Sequence, residues 1–246
     1  MTHLISKLVF VAVCAVSMAS HASVVGELSR MPVTITNIPV LRSFGQVEDF
    51  CTGTLISPRL VLTAAHCVYD QQAASWIPVH TFSPARNGSL DPYGSIKVLQ
   101  VHAPSSYVAG DDRQDLAILV LAEPVGLRTG WLEIGWDLAG FQNSSSALGG
   151  FAASGTITGY PGDKDSGTMW IAACDFYVPN QQPLLPQYNC DTFGGMSGSA
   201  LVVAGFNGKS LVVGVHTKGH GSFNSGIMLT GDNKEFLEEI FRKYPL

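Results

Sequence analysis

The stretch LVLTAAHCVYD, residues 60–70, decides the fold, and the rest of the sequence is best considered outward from it. Its first four residues favour a β-strand, two alanines follow, and His66 then stands beside Cys67. A strand that ends in small residues beside a disulfide would hold an imidazole rigidly at the edge of a cleft. His66 is therefore a candidate catalytic base, although a single histidine in such a place could also be structural.

Two later segments supply the residue types that a catalytic histidine needs. Asp115 opens the apolar run 115–121, where a carboxylate can be buried and accept a hydrogen bond from His66 Nδ1. The loop GGMSGS, residues 194–199, could direct backbone N–H groups at a developing oxyanion while Ser197 faces the substrate. An aspartate at a strand start or a glycine loop means little alone. Together, in the order His, Asp, Ser, the three residues predict a nucleophilic triad.

Composition limits the class of protein. The chain has 246 residues, of which 46% are hydrophobic and 13% charged, with 26 glycines and 13 prolines. These values exclude a disordered chain or a coiled coil and favour a compact, loop-rich β protein. The net charge is −5 and no run of lysine or arginine reaches three. Neither a nucleic acid nor an anionic membrane surface is therefore expected as a partner.

The first 22 residues have the pattern of a secretory signal peptide. A weakly basic start precedes an apolar stretch at 8–19, and Ser20 and Ala22 place small residues before a cleavage site at Ser23. The apolar stretch is shorter than the roughly 20 residues that span a bilayer, so a membrane anchor is the weaker alternative. The sequence predicts a secreted protein, extracellular or periplasmic.

The cysteine count agrees with an oxidising compartment. Cys14 belongs to the signal segment, which leaves four cysteines and three possible connectivities. Two pairs have equal separations of 16 residues, and we predict those two bridges: Cys51–Cys67 and Cys174–Cys190. A zinc site is the alternative, but no paired cysteine or His-Glu-x-x-His motif supports it. Neither a metal nor a cofactor is expected.

Hydrophobic periodicity predicts strands along most of the chain. The predicted strands are 33–40, 52–56, 60–63, 96–102, 116–121, 155–160, 168–171, 200–204, 211–216 and 227–229. Only the C-terminus predicts a helix, with Asp232 and Glu235 as a capping box. The apolar face of that helix comprises Phe236, Leu237, Ile240, Phe241 and Tyr244.

The motifs resemble those of the chymotrypsin-like serine endopeptidases, and within them the bacterial glutamyl endopeptidases. The resemblance covers nearly all of the chain after the signal segment. It is most specific in residues 63–70, in 159–164 followed by Met169-Trp170, and in 191–199. It implies an all-β fold of two six-stranded antiparallel barrels with a C-terminal α-helix. The implied division is 23–128 for the N-terminal barrel with His66 and Asp115, and 129–246 for the C-terminal barrel with Ser197.

The same resemblance assigns roles to individual residues. His66 would be the general base, Asp115 the orienting acid and Ser197 the nucleophile. The backbone N–H groups of Gly195 and Ser197 would form the oxyanion hole. Met196 replaces the aspartate with which many animal relatives pair a newly cleaved N-terminus, so that switch is not expected here. Processing directly before Ser23 matches the relatives' mature start, and processing after Arg30 is the alternative.

The resemblance also implies a substrate pocket. Thr192 and His216 match the threonine and histidine with which glutamyl endopeptidases bind an acidic side chain. Residues Thr217, Lys218 and Gly219 would pair with the substrate backbone as an added strand. The pocket has no acidic residue at the Thr192 position, which argues against cleavage after lysine or arginine. His216 could instead merely end a barrel strand.

The predicted function is therefore cleavage of a peptide or protein substrate through an acyl-enzyme, preferentially after glutamate or aspartate, by a monomer. Two alternatives stay open. A catalytically inactive homologue could act as a binding module, although none of the three triad residues is missing. An esterase could use the same triad, because acyl transfer does not require an amide.

Overall fold

The computed structural model describes residues 30–34, 38–136, 150–179, 185–205 and 208–245. The predicted signal peptide, 1–22, lies outside the described residues. Within them, no helix has both the length and the apolar character that crossing a membrane requires.

The first barrel comprises six antiparallel strands that close on themselves in the order β2-β3-β4-β9-β8-β7. Apolar residues on these strands fill its interior, and β4 and β9 are buried along their whole length. The elements of this half are β1 (Met31–Pro32), α1 (Pro39–Arg42), β2 (Phe44–Val47), β3 (Cys51–Leu55), β4 (Leu60–Thr63), β5 (Tyr69–Asp70), β6 (Ser75–Trp76), β7 (Thr81–Pro84), β8 (Ile96–His102), α2 (Ser105–Val108), β9 (Ala117–Leu121) and α3 (Gly126–Thr129).

The second barrel comprises six antiparallel strands in the order β12-β11-β14-β15-β16-β13, and β13 pairs back with β12 to close the ring. A second cluster of buried side chains, which includes Ile157, Met196 and Leu201, fills it. The elements of this half are β10 (Glu133–Ile134), β11 (Gly150–Gly159), β12 (Trp170–Pro179), β13 (Gln187–Tyr188), β14 (Ala200–Ala204), β15 (Ser210–Gly219), β16 (Asn224–Met228) and α4 (Asp232–Lys243).

The predicted fold class of two six-stranded barrels with a C-terminal helix is confirmed. The strand predicted at 33–40 is wrong at its described positions, because Pro39 opens the short helix α1 where a strand was expected. Residues 35–37 lie outside the described residues. Strands β2 and β7 were missed, since their sequences FGQV and TFSP contain too few β-branched residues to show a pattern.

The first described strand, β1, packs against the second barrel and not the first. Strand β1 pairs with β12 through Met31–Ile171 and Pro32–Trp170, although the sequence places residues 23–128 with the first barrel. The predicted division after residue 128 falls inside α3, and it stays a prediction.

The C-terminal helix is present, but its predicted capping box is wrong. Asp232 is the first helical residue and Gly231, with φ 56°, occupies the N-cap without a side-chain hydrogen bond. Asn233 instead joins the helix to the barrels, because its side-chain N–H groups donate to the carbonyls of Met228 at 2.9 Å and Arg113 at 3.2 Å.

Two disulfides fasten the loops beside the cleft. Cys51, the first residue of β3, forms a disulfide with Cys67, and Cys174 of β12 forms a disulfide with Cys190. Cys67 is the neighbour of His66, and Cys190 precedes the segment that leads to Ser197. Each bridge therefore restrains one side of the candidate site.

Candidate active site

His66 and Asp115 form a close pair at the edge of the first barrel. His66 is the middle residue of a 3₁₀ turn, Ala65–Cys67, directly after β4. Asp115 precedes β9 and is only 2% exposed. Asp115 accepts the His66 backbone N–H on Oδ1 at 2.9 Å, and His66 Nδ1 lies 2.8 Å from Asp115 Oδ2. One carboxylate oxygen thus contacts the imidazole, and the other holds the backbone of the same residue.

This pairing sets the protonation of His66. Burial alone would lower the pKa of His66, but the charge and hydrogen bond of Asp115 outweigh it, so that the pKa is raised above its ordinary value of 6.5. The His66 imidazole therefore binds a proton more strongly than a free imidazole does, and its side chain is partly exposed. An imidazole with this property can accept a proton from a nucleophile and later return it.

The loop 194–199 lies against the first barrel through Thr52 of β3. The Thr52 N–H donates to the Ser197 carbonyl at 2.9 Å, and the Thr52 hydroxyl donates to the Gly195 carbonyl at 2.8 Å. Gly198 has φ +86°, and a Cβ there would lie 2.2 Å from the Thr52 carbonyl oxygen. Only glycine fits this position, since both the backbone conformation and the space exclude a side chain.

The structure brings the Ser197 loop beside His66 without a hydrogen bond between the described side chains of Ser197 and His66. The Ser197 carbonyl lies 3.8 Å from Cys67 Sγ, next to the histidine in the chain. In enzymes without a bound substrate, the hydrogen bond between a nucleophile and its base is often long and tightens when the substrate binds.

Three of the six backbone N–H groups of the loop 194–199 make no hydrogen bond within the part of the chain that the structure describes. The N–H groups of Met196, Gly198 and Ser199 donate to carbonyls of Phe193, His216 and Met196. Within the described residues, those of Gly194, Gly195 and Ser197 have no protein acceptor. Gly195 has φ +97°, a left-handed conformation, at this turn of the loop. Two of these three donors, Gly195 and Ser197, are the pair that the family resemblance assigns to an oxyanion hole.

The predicted pocket residues Thr192 and His216 are both completely buried. Thr192 Oγ1 and His216 Nε2 have no hydrogen-bond partner among the described residues, whereas His216 Nδ1 bonds the Tyr188 hydroxyl. Burial, followed by the charge of His66, lowers the pKa of His216 to about 3. His216 is therefore neutral near pH 7, and the pocket holds two polar atoms without partners.

The other predicted pocket residues lie along the end of β15. Thr217 is the extra residue of an irregularity in the pairing with β16, between the pairs His216–Gly226 and Lys218–Ser225. The pairing with β14 ends at Val215, so the described strands offer the other side of 217–219 no partner. This free edge could pair with an extended peptide.

Lys218 also joins the two barrels across the cleft. Its ammonium donates to Asp112 of the first barrel, and both side chains are partly exposed. Thr217 and Lys218 line a cavity of about 300 Å³ together with Leu185 and Phe223. Thr192 and His216 are not among the residues that line this cavity.

Arg30 is a site residue that sequence reasoning missed. Its Nε donates to Asp191 at 2.9 Å, and its two terminal nitrogens each donate to Asp163 at 2.7 Å. Arg30 is 5% exposed, and Asp191 directly precedes Thr192. Processing after Arg30 would detach this buried cation, which counts against that alternative. No local signal distinguishes such an arginine from an exposed one.

One group of metal-ligand types occurs among the described residues, at Cys51, His66 and Cys67. The two cysteines are joined in a disulfide and provide no thiolate. His66 Nδ1 is engaged by Asp115. This group therefore does not fit a metal site.

Two closed barrels, with a His–Asp pair from the first and a glycine–serine loop from the second, define a chymotrypsin-like protein. A model of the trypsin family matches residues 31–228. The chain belongs to the trypsin family of serine proteases.

The chain is also similar to individual proteins within and beyond this family description. A glutamyl endopeptidase of Bacillus licheniformis is 34% identical over 221 residues, which cover 86% of this chain and 66% of the relative. A Bacillus subtilis protein named as an extracellular metalloprotease is 33% identical over 185 residues, which cover 74% of this chain and 55% of the relative. The chain thus spans just under two thirds of the first relative and about half of the second.

Solved structures agree with the fold. A Glu endopeptidase in complex with MPD has a TM-score of 0.75 and 30% identity, with 88% of this chain and 98% of that one covered. The protease Anisep of Arthrobacter nicotinovorans has a TM-score of 0.63 at 17% identity, a likeness of fold alone.

Proposed function

We propose that the protein is a secreted serine endopeptidase that cleaves peptide bonds after glutamate, and less often after aspartate. The observation that carries the proposal is the buried Asp115, which holds His66 by two hydrogen bonds beside the Ser197 loop. Removal of residues 1–22 would yield the secreted form, and the two disulfides suit an oxidising compartment.

The proposed reaction proceeds through an acyl-enzyme. His66 Nε2 takes the proton from Ser197 Oγ as that oxygen attacks the substrate carbonyl carbon. The N–H groups of Gly195 and Ser197 stabilise the negative charge on the carbonyl oxygen. His66 then gives its proton to the leaving amine. Water, activated by the same histidine, hydrolyses the ester on Ser197.

The preference for glutamate rests on the two unpartnered atoms of the pocket. Thr192 Oγ1 and His216 Nε2 are buried without partners, and a substrate carboxylate provides acceptors for both. An apolar side chain would leave these atoms unsatisfied. The named activity of the Bacillus licheniformis relative supports the same specificity. The free edge at 217–219 would align the peptide.

The proposal is tested by digesting a mixed peptide library and mapping the cut sites by mass spectrometry. Cuts after glutamate support it. A library without acidic preference contradicts the specificity, and turnover of esters without any peptide cleavage contradicts the endopeptidase activity.

His216→Ala is expected to lower kcat/KM for glutamate substrates by at least about 10²-fold, equivalent to about 2.7 kcal/mol. The physical reason is that the variant removes one of the two polar partners of the carboxylate. Steady-state kinetics on a glutamyl peptide provide the measurement, and an ester with a small acyl group is the control that should change little. Equal losses on both substrates would mean that His216 acts on structure and not on specificity.

The pH dependence of kcat/KM is expected to reflect the titration of His66 and not that of His216. Because the pKa of His66 is raised, kcat/KM should fall on acidification with a midpoint above pH 6.5. The pKa of His216 is about 3, so this group stays neutral from pH 6 to 9 and adds no alkaline limb. Profiles for glutamyl and uncharged substrates should therefore coincide at alkaline pH. An earlier alkaline decline for the glutamyl substrate would show that His216 works as a cation.

A further inference from the structure

One buried hydroxyl of the first barrel contacts two segments of the second barrel at once. Thr52 of β3 is completely buried. Its Oγ1 accepts the Tyr160 N–H at 3.1 Å and donates to the Gly195 carbonyl oxygen at 2.8 Å. A backbone N–H can only donate and a carbonyl oxygen can only accept, so Gly195 is the one of these two partners that can take the hydroxyl proton. Both hydrogen bonds are therefore satisfied together, each with a defined direction.

The Gly195 N–H, one of the two proposed oxyanion donors, belongs to the peptide group between Gly194 and Gly195. A Cβ at Gly194 would meet nothing within 4 Å, and Gly195 has φ +97°, a region that glycine adopts freely. Neither residue has a side chain that would hinder this peptide group from turning over. Reversal would put the Gly194 carbonyl oxygen in place of the N–H, where it would repel a developing oxyanion. Contacts from outside the loop must therefore hold the peptide group.

The segment 160–162 supplies the first of these contacts. The Gly194 carbonyl oxygen accepts the Gly162 N–H at 2.7 Å. In a trans peptide the N–H points opposite to the carbonyl, so this bond directs the Gly195 N–H away from Gly162. The Tyr160 carbonyl oxygen would lie 2.3 Å from a Cβ on Gly195, so the segment also packs directly against that residue. Thr52 holds this segment through the Tyr160 N–H and holds the Gly195 carbonyl directly.

We infer that Thr52 is a positioning residue for the oxyanion hole, whose hydroxyl holds the peptide groups on both sides of Gly195 so that the Gly195 N–H faces the substrate carbonyl oxygen. This inference rests on the proposed function, which places the oxyanion at that N–H. Thr52 does not touch the substrate and acts through Gly195. The nucleophile loop of the second barrel thus depends on a side chain of the first.

Thr52→Val keeps the shape of the side chain and removes the hydroxyl, and it is expected to lower kcat about 10- to 100-fold. Outright removal of an oxyanion donor costs about 10²–10³ in kcat, and a misdirected donor loses part of that. KM should stay within about two-fold, because the oxyanion forms only in the transition state. Thr52→Ser restores a hydroxyl and should retain kcat within a few-fold. The substrate is a peptide with the residue that the library digest selects, so a failed glutamate preference does not affect this test.

Thr129→Val is the matched control. Thr129 of α3 is also completely buried, and its hydroxyl donates to a glycine carbonyl, that of Gly130 at 2.7 Å. Its loss should cost stability in the same way and leave kcat unchanged. Urea unfolding gives the folded fraction to which each kcat is normalised. Thr52→Ala removes the same donor and replaces Thr52→Val if the valine variant does not fold. A normalised kcat equal to that of Thr129→Val overturns the inference.

A second measurement observes the Gly195 N–H directly. A peptide aldehyde with the residue that the library selects adds to Ser197 Oγ as a hemiacetal, whose oxygen mimics the oxyanion. In ¹⁵N-labelled wild type the Gly195 amide proton should move downfield on binding, and this shift should be lost in Thr52→Val. The inhibition constant of the aldehyde should rise by the factor by which kcat falls. The full shift in Thr52→Val overturns the inference, whereas no shift in the wild type overturns the proposed oxyanion hole itself.

Discussion

Ser197→Ala and His66→Ala are each expected to lower kcat by on the order of 10⁶-fold, with the fold intact, because the members of a triad act as a unit. In the proposed mechanism Ser197 provides the bond-forming oxygen and His66 the proton acceptor, so removal of either would leave only binding and the proposed oxyanion N–H groups. The loss should appear in single-turnover and steady-state kinetics on a glutamyl peptide. A fluorophosphonate should label Ser197 in the wild type and should not label Ser197→Ala.

Matched variants separate this chemical effect from a structural one. Ser199→Ala removes another buried hydroxyl of the same loop, one that has no partner among the described residues, and should retain activity within a few-fold. His80→Ala removes an exposed histidine and should behave similarly. Labelling at a residue other than Ser197 would refute the assignment of the nucleophile. Substantial peptide cleavage by His66→Ala would refute that of the base.

Arg30→Met is expected to destabilise the protein by about 3–5 kcal/mol, because it leaves the carboxylates of Asp191 and Asp163 without their buried cation. The Arg30 side chain is 3% exposed, and that of Asp191 is 7% exposed. Activity should fall as well, since Asp191 holds the segment that carries Thr192. Urea unfolding at constant pH with the disulfides intact provides the measurement.

Arg113→Met is the matched control for Arg30→Met. Arg113 makes the same two-pronged contact, with Asp111 at 2.9 and 2.8 Å, but its side chain is 66% exposed. Exposed pairs contribute about 0–1 kcal/mol, so this variant should change stability little. Equal small losses in the two variants would show that the Arg30 network adds nothing beyond a surface pair.

Acidification is expected to reduce the stability that the ion pairs of Arg30 with Asp163 and Asp191 contribute. Burial by itself would raise the pKa of Asp163, but the hydrogen bonds and charge of Arg30 outweigh it and leave the pKa lowered. A carboxylate of this kind stabilises the fold fully above its ordinary pKa of 3.8. That stabilisation is lost as the pH falls through the lowered value. In Arg30→Met this contribution should be absent.

Several elements could be predicted because their signals are local. Strands 60–63, 96–102 and 200–204 coincide with β4, β8 and β14, since short β-rich runs bounded by turn residues need no distant information. The apolar face of α4 was visible for the same reason. The predicted capping box was wrong because it placed Asp232 at the N-cap, whereas Gly231 is the N-cap and Asp232 is the first helical residue. Strand β2 has too few β-branched residues to give such a signal and was missed.

Strand patterns and motifs predicted a β protein and the triad candidates His66, Asp115 and Ser197, because such patterns are properties of neighbouring residues. The resemblance to a known family added the two-barrel fold and the proposed pocket residues Thr192 and His216. The three-dimensional fold was needed to show that Thr52 holds the Ser197 loop, that Arg30 is buried against Asp191, and that Tyr188 contacts His216. These partners lie 28 to 161 residues apart. Whether a polar group is buried, and which group satisfies it, depends on packing between distant segments, and no local pattern records that.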